Sequence, residues 1–518
     1  MTASTPARPA VRRPAARRSG VSALVLRAHG DATWRIAGLG VATALLLVSD
    51  RIGLPWTAAL WACWLVVLLV RGRSRIAAVF FVCISGYGTV AWQAAQYGNH
   101  FFPPFPTLAV IQSVTLTDLR AVVAAYLAVE LVVGLGRFSD AVRAIGIRSR
   151  ERLLRLAAVP TARLVVLLPL VVVGLVDWVG VVRLGVGAVL GGSRREFANS
   201  LLLTTDHNVQ VVIVTLSIIA AVWAVWADRK IPVVLALVLC WTPFALVGSR
   251  KELLLVAAAV GLMVATSGAR KVLAVFGGLV VVMFLQPVLK TGDIYDSLHE
   301  FILPQYMHFS LAMNYVSPDF AGPFLERAQY LLPGPLRITE PVNMALAFFQ
   351  TGAADVGVGS SPFAEAQTID PAVPVEVSFA LLILGLVLFL LATSRALPFV
   401  ALVAYSQLLT FGRSDTWIAM FFVVYIGLLL HVVERLFRGQ IARIPETPSA
   451  GTRPDDTRDE DPHAAHVPPG DEHDRSIRGA RAVPHVAGRA GRVRVRDARR
   501  AVRVPVVRAA HGGTGRTR

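Results

Sequence analysis

This chain of 518 residues is 55% hydrophobic and only 16% charged, with a mean hydropathy of +0.60. Roughly the first four-fifths is too apolar for a water-soluble domain, which excludes an ordinary soluble enzyme and points to a polytopic membrane protein. The formal charge of +18 does not imply nucleic acid, because its excess lies in an N-terminal arm, one inter-helix loop and a C-terminal tail, where positive charge flanks membrane spans.

Residues 1–33 form a basic arm carrying Arg8, Arg12, Arg13, Arg17 and Arg18. It resembles the start of a secretory signal, but no Ala-x-Ala site follows before the second apolar run, so it reads as a retained start helix. Apolar runs then recur at 34–49, 54–70, 76–92, 116–136, 162–182, 209–227, 231–248, 252–267, 272–289, 375–394, 396–411 and 416–435. Most are long enough to cross a hydrocarbon core of roughly 30 Å, giving about twelve transmembrane helices in residues 34–435. Cys63, Cys83 and Cys240 all fall inside these runs, as small packing residues rather than as a disulfide framework or metal motif. No run alternates like a barrel strand and no repeat of fixed period is visible, so the expected fold is all-α.

Lys and Arg alternate from loop to loop. The arm, Arg71/Arg73/Arg75, the loop from Arg137 to Arg163, Arg229/Lys230, Arg270/Lys271 and Arg395 are rich, and are expected in the cytoplasm. The loops at Asp50-Arg51, 97–106, 183–210, Arg250, 290–374 and Arg413 are poorer, and are expected outside. The tail, 436–518, has too little apolar content to fold alone and is expected to be cytoplasmic and disordered. Both termini are thus expected inside.

The segment 290–374, between the ninth and tenth runs, is the one large element off the membrane. Its patches Phe301 to Tyr306 and Ala345 to Phe349 suggest short helices against the membrane surface. A connection of this length is more often functional than a mere connector.

Few residues offer chemistry. Gly248-Ser249-Arg250-Lys251-Glu252 is a charged knot between two apolar runs, on the face where positive charge is not expected; an arginine there suits bidentate recognition of a diphosphate. Arg413, in Phe411-Gly412-Arg413-Ser414-Asp415, has a similar place between the last two runs, with Asp415 or Ser414 able to cap the following helix. Arg194, beside Arg195 and Glu196, is a third outer cation. Asp206 and His207 have no second histidine at helical spacing, so a metal site is not expected. Glu365 lies in Gly359-Ser360-Ser361-Pro362-Phe363-Ala364-Glu365, where a carboxylate near apolar surface can have its pKa raised into the range of a general base. His299, next to Glu300, and His308 enter the same segment as alternative acids or bases, each otherwise a solvated loop histidine. No Gly-rich phosphate loop, HExxH or GxSxG is present, so no nucleotide or other cofactor is expected.

These features resemble the bacterial oligosaccharide repeat-unit polymerases, the Wzy-type O-antigen and exopolysaccharide polymerases. The resemblance rests on the helix number, the large outer loop, the Arg250 knot opening a helix with Gly261 further on, the Ser360 to Glu365 turn, and Arg413. At Arg413 the arginine-to-glycine spacing is not repeated, since position 424 is valine. The resemblance implies a glycosyltransferase in the cytoplasmic membrane, with an undecaprenyl-diphosphate-linked glycan as donor and a lipid-linked repeat unit as acceptor. It implies a flippase and a chain-length regulator as partners, beside membrane lipids. Arg250, Arg413 and Arg194 would bind the diphosphate, Glu365 or His299 would serve as base, and Glu252 and Asp415 would support them.

Three other readings fit. A secondary carrier shares the helix number, but such carriers usually show two halves and ionisable groups at mid-membrane, and only Glu130 stands out here. A polyprenyl-phosphate-sugar glycosyltransferase typically carries acidic residues in its first outer loop, where this chain has Asp50 beside Arg51. A lipid-glycan ligase is kept in view by the histidines of the long loop.

Overall fold

The structure, a computed structural model, describes residues 19–70, 73–96, 107–185, 201, 207–227, 230–246, 251–265, 305–339, 344, 347, 350, 361–409 and 415–442. Every regular element among them is helical. In chain order these are α1 (Ser19–Val70), α2 (Arg75–Gln96), α3 (Leu108–Val132), α4 (Leu135–Ala157), α5 (Pro160–Leu184), α6 (His207–Trp226), α7 (Ile231–Leu246) and α8 (Lys251–Ala265). There follow α9 (305–312), three short 3-10 turns at Pro318–Ala321, Glu326–Leu331 and Gly334–Leu336, and then α10 (Pro362–Ile369), α11 (Val375–Ala396), α12 (Pro398–Leu409) and α13 (Thr416–Ile441).

Six of the described helices are long and apolar enough to cross a membrane: the part of α1 from Ala32, α3, α5, α6, α11 and α13. Four more, α2, α7, α8 and α12, are apolar but shorter over their described residues. On α5 the residues Leu164, Leu168, Val172, Leu175, Val179 and Val182 are all about half exposed or more. At helical spacing they form one stripe running about 27 Å along the helix axis, a surface that lipid covers and water would not. The protein is therefore a polytopic, membrane-embedded helical bundle.

The first two expected spans, 34–49 and 54–70, fall in a single element, α1, broken at Gly53, whose φ of 75° and ψ of 175° no helix contains. The ring centroids of Trp34 and Trp64 lie 6.4 Å apart. A straight helix would hold them about 45 Å apart, so α1 is a hairpin folded at Gly53, where a side chain would be strained. The expected span 116–136 is displaced: the helix, α3, starts earlier, at Leu108, and ends at Val132, so the last expected residues fall at the Gly134 corner and the start of α4. Residues 396–411 become α12, which starts only at Pro398, and α13 runs on past 435 to Ile441. The ninth expected run, 272–289, lies outside the described residues.

One expectation about the order of elements is overturned. The stretch from Arg137 to Arg163, read as a loop, contains the helix α4. Its buried residues Leu135, Phe138, Ser139, Val142, Ile145, Ser149, Leu153 and Leu156 recur every three or four positions, so the helix is amphipathic, and its polar face carries the arginines that hid it from a hydropathy scan. Glu130 accepts a hydrogen bond from the Leu135 N–H at 2.6 Å, covering a free donor of the first turn, and Arg35 donates to the carbonyls of Glu130 and Leu131, both at 2.8 Å. Glu130 is thus a helix cap at the α3–α4 corner.

α4 lies across one end of the bundle. Ser139 accepts from the Ala77 N–H in the first turn of α2; further along, Ser149 reaches the Pro398 carbonyl at the start of α12. The Leu153 carbonyl accepts from Trp223 near the end of α6, and Arg152 donates to Glu434 near the end of α13. Four apolar helices therefore rest their ends on one charged helix, and this end is the basic face. At the opposite face Arg120 donates to Asp50 at 2.7 Å and sits 3.4 Å from Glu376, level with the Gly53 corner and the first turn of α11. Between the faces the core is continuous and apolar, with close approaches where a side chain would not fit: a Cβ on Gly174 would meet the α7 backbone at 2.8 Å, and one on Gly427 the α12 backbone at 2.5 Å.

Candidate functional site

At the face opposite α4, the described parts of the long segment pack onto the starts of α3 and α13. Ser361 caps α10, its Oγ accepting from the Phe363 N–H at 3.2 Å, and Pro362 occupies the first helical position, where a missing N–H costs nothing. This short helix is buried from Pro362 to Ala366, so Glu365 points inward and is 0% exposed. Asp415 caps α13, its Oδ1 accepting from the N–H groups of Trp417 and Ile418. Before them, the turn Glu326–Leu331 lies along α13: Trp417 donates to the Phe324 carbonyl at 2.8 Å and Tyr425 to the Leu331 carbonyl at 3.3 Å.

These three pieces converge on Arg327. Its Nη1 is 3.7 Å from Glu365 Oε1 and 3.9 Å from Asp415 Oδ2, and its Nη2 donates to Thr368 Oγ1 at 3.2 Å. Arg327, Glu365 and Asp415 are each at most 3% exposed. Glu365 Oε2 accepts from the Thr416 N–H at 2.9 Å, and Asp415 Oδ2 from the Met344 N–H at 3.2 Å. One guanidinium faces two carboxyls, so the cluster is neutral only when it holds one proton. Burial, and next the Asp415 charge, push the Glu365 carboxyl up from its ordinary 4.5 to about 8, with Arg327 and Thr416 opposing. Arg327 Nε and Nη1 and Glu365 Oε1 are buried without a hydrogen-bond partner, so the cluster keeps unused donors and an unused acceptor.

Two residues along α10, and so on its other side, Gln367 meets a second group. His308 of α9 has Nδ1 3.1 Å from Gln367 Oε1 and Nε2 2.8 Å from Asp118 Oδ1 on α3. His308 and Asp118 are each 2% exposed, and Phe363 lies beside the imidazole. The expectation of a solvated loop histidine at 308 is therefore wrong: the ring is sandwiched between the long segment and α3. The expectation that Glu130 alone breaks the apolar runs is wrong as well, because Asp118 and Asp177 are buried within α3 and α5.

Of the residues singled out in the sequence, the structure brings Glu365 and Asp415 together. Glu252 stands half-buried in the first turn of α8 and makes none of this cluster's hydrogen bonds or ion pairs. Arg250, Arg413, Arg194 and His299 lie outside the described residues. Arg327 and Asp118 were missed. The available signal for Arg327 was a lone arginine among Phe324, Leu325 and Tyr330; for Asp118 it was a carboxylate inside an otherwise apolar run. Among the described residues, no three His, Cys, Asp or Glu side chains are grouped as metal ligands would be.

No protein-family profile, curated protein or solved structure matches this chain. The class defined by fold and site is thus a polytopic all-α membrane protein with a buried, partly unsatisfied ionisable cluster beneath the long segment.

Proposed function

We propose that this protein is a membrane glycosyltransferase of the polymerase type, joining undecaprenyl-diphosphate-linked oligosaccharide repeat units for O-antigen, capsule or exopolysaccharide. The observation that carries this reading is Glu365: a fully buried carboxyl with a pKa of about 8, held by the long segment against the first turn of a spanning helix. A general base works best with a pKa near the working pH, and this one has it. The basic face beneath α4 supports a cytoplasmic position for that end, by the positive-inside rule, and hence an outward position for Glu365.

In this reading the acceptor sugar hydroxyl attacks the anomeric carbon of the donor glycan. The bond from that carbon to the diphosphate oxygen breaks, the diphosphate leaves with the electron pair, and the hydroxyl proton passes to Glu365. Arg327 and Asp415 position Glu365 and set its proton affinity. Arg250, Arg413 and Arg194 are the proposed partners of the leaving diphosphate, where cations aimed at developing charge act most strongly. His299 is the alternative base.

Glu365→Gln and Arg250→Ala are expected to abolish polymer while the protein stays in the membrane and single lipid-linked units accumulate outside. Normal polymer length in either variant removes that residue from the mechanism; normal length in both overturns the reading. A carrier is the second reading, favoured by the buried Asp118 and Asp177 within spanning helices. It predicts that loss of the protein leaves lipid-linked units on the cytoplasmic leaflet.

A further inference from the structure

We infer that the basic face holds a specific site for one anionic phospholipid headgroup, in the cleft between the ends of α4 and α13. The cleft has a volume of about 620 Å³, within the range of small-ligand sites, and the α11–α12 junction at Ala396 and Leu397 closes one side. Its charge comes from two helices. Arg152 and Arg155 lie one turn apart on α4, Arg435 and Arg438 one turn apart on α13, and all four line the space. The one carboxylate in the lining, Glu434, is already engaged, 3.2 Å from Arg152 Nη1 and 3.7 Å from His431 Nδ1. Arg155, Arg435 and Arg438 make no side-chain hydrogen bond or ion pair among the described residues.

Like charges gathered this closely repel, and an anion in their midst removes the repulsion. Guanidinium groups from two helices match the several oxygens of a phosphodiester better than a point charge does. The helix C-termini and Glu434 offset part of this positive charge but do not cancel four arginines, which leaves the cleft electropositive and suited to an anion.

The shape favours lipid over free phosphate. The lining runs from Ile441 back to Leu428, about 20 Å along α13, from the charged end toward the apolar core. Leu428 and Val432, one turn apart, are both in the lining and 43% and 49% exposed, giving an apolar track for an acyl chain below a charged cap. Inorganic phosphate would use the cap and leave the track bare. The inference does not depend on the reaction proposed above.

The test is native mass spectrometry on the full chain, purified in detergent and offered phosphatidylglycerol and phosphatidylcholine in equal amounts. Wild-type protein is expected to retain one phosphatidylglycerol with a preference of about tenfold or more, in keeping with the attraction of several near-surface arginines. R155Q/R435Q/R438Q is expected to bring the preference near unity, R155Q and R438Q alone to lower it part of the way, and R143Q, an exposed arginine of α4 outside the cleft, to leave it unchanged. Equal retention of both lipids by wild type, an unchanged preference in the triple variant, or an equal loss in R143Q would each overturn the proposal. A phosphate arm separates the sources: millimolar inorganic phosphate should not displace the lipid, and displacement by it would make this a free-anion site.

Discussion

Arg327 and Glu365 meet at 3.7 Å with almost no exposure to solvent, although one comes from a 3-10 turn and the other from a helix well downstream. Asp415, at the head of α13, faces the same guanidinium. Removing one member of such a group leaves a charge buried without compensation, while removing charges in pairs does not.

Arg327→Met is therefore expected to destabilise the protein by about 3–5 kcal/mol, as breaking a buried pair does. The double variant R327M/D415N, which removes both charges and leaves Glu365 holding its proton, should recover a large part of that loss. Chemical unfolding of the purified protein in detergent measures both; strictly additive losses would mean that the two side chains do not interact.

Glu365 also links stability to pH. The folded protein holds this proton up to about pH 8, whereas the unfolded chain releases it near 4.5. The stability it contributes is present in full below about pH 4.5 and is lost as pH rises through about 8. Melting temperature should fall over this window, and E365Q, which carries no titrating proton there, should fall less steeply. Parallel curves for wild type and E365Q would contradict the assignment. With Glu365 as the base, the wild-type rate of polymer formation rises with pH toward a plateau near 8, and a rate flat from about pH 5 to 8 would exclude it from that role.

Asp415 has two tasks that substitution separates. As a cap it accepts from Trp417 and Ile418, and D415A should cost about 1–2 kcal/mol on that account. Asn restores the capping oxygen without the charge, so D415N should recover stability. It should also lower the apparent pKa of Glu365 in the pH series above, because the raising effect of a neighbouring negative charge is gone.

His308 and Asp118 fasten the long segment to α3. H308A leaves Asp118 buried without its partner, at a cost of about 1–3 kcal/mol. Limited proteolysis should then cut within 290–374 sooner than in wild type, at unchanged rates elsewhere. An unaltered cleavage pattern would show that the contact does not hold the segment.

How far these features could be read from the sequence depended on the range over which their causes act. Spanning helices declare themselves through the residues within one window, so α5, α6, α11 and α13 fall close to the expected positions. The break at Gly53 showed in outline for the same reason, as a gap between two runs. α4 escaped because its arginines lower the average, although its apolar spacing was visible from Leu135 to Leu156. Asp118 was averaged away inside an apolar run. Glu365 could be named from its Gly/Ser/Pro turn and its place near apolar surface, but its burial depends on α13 and Arg327, and nothing local announces partners that arrive only when the chain folds back.

The position of α4 also sets an order of events during synthesis. It leaves the ribosome before α6, α12 and α13, three of the helices whose ends it carries, so beyond its contact with α2 its apolar face has no such cover when it first forms. Until those helices insert, the stretch of this face around Ser149 and Leu153 rests among lipid headgroups, as amphipathic helices do at an interface. A chain that stops short of α12 would keep that face bare, making it a target for membrane proteases rather than a smaller working protein.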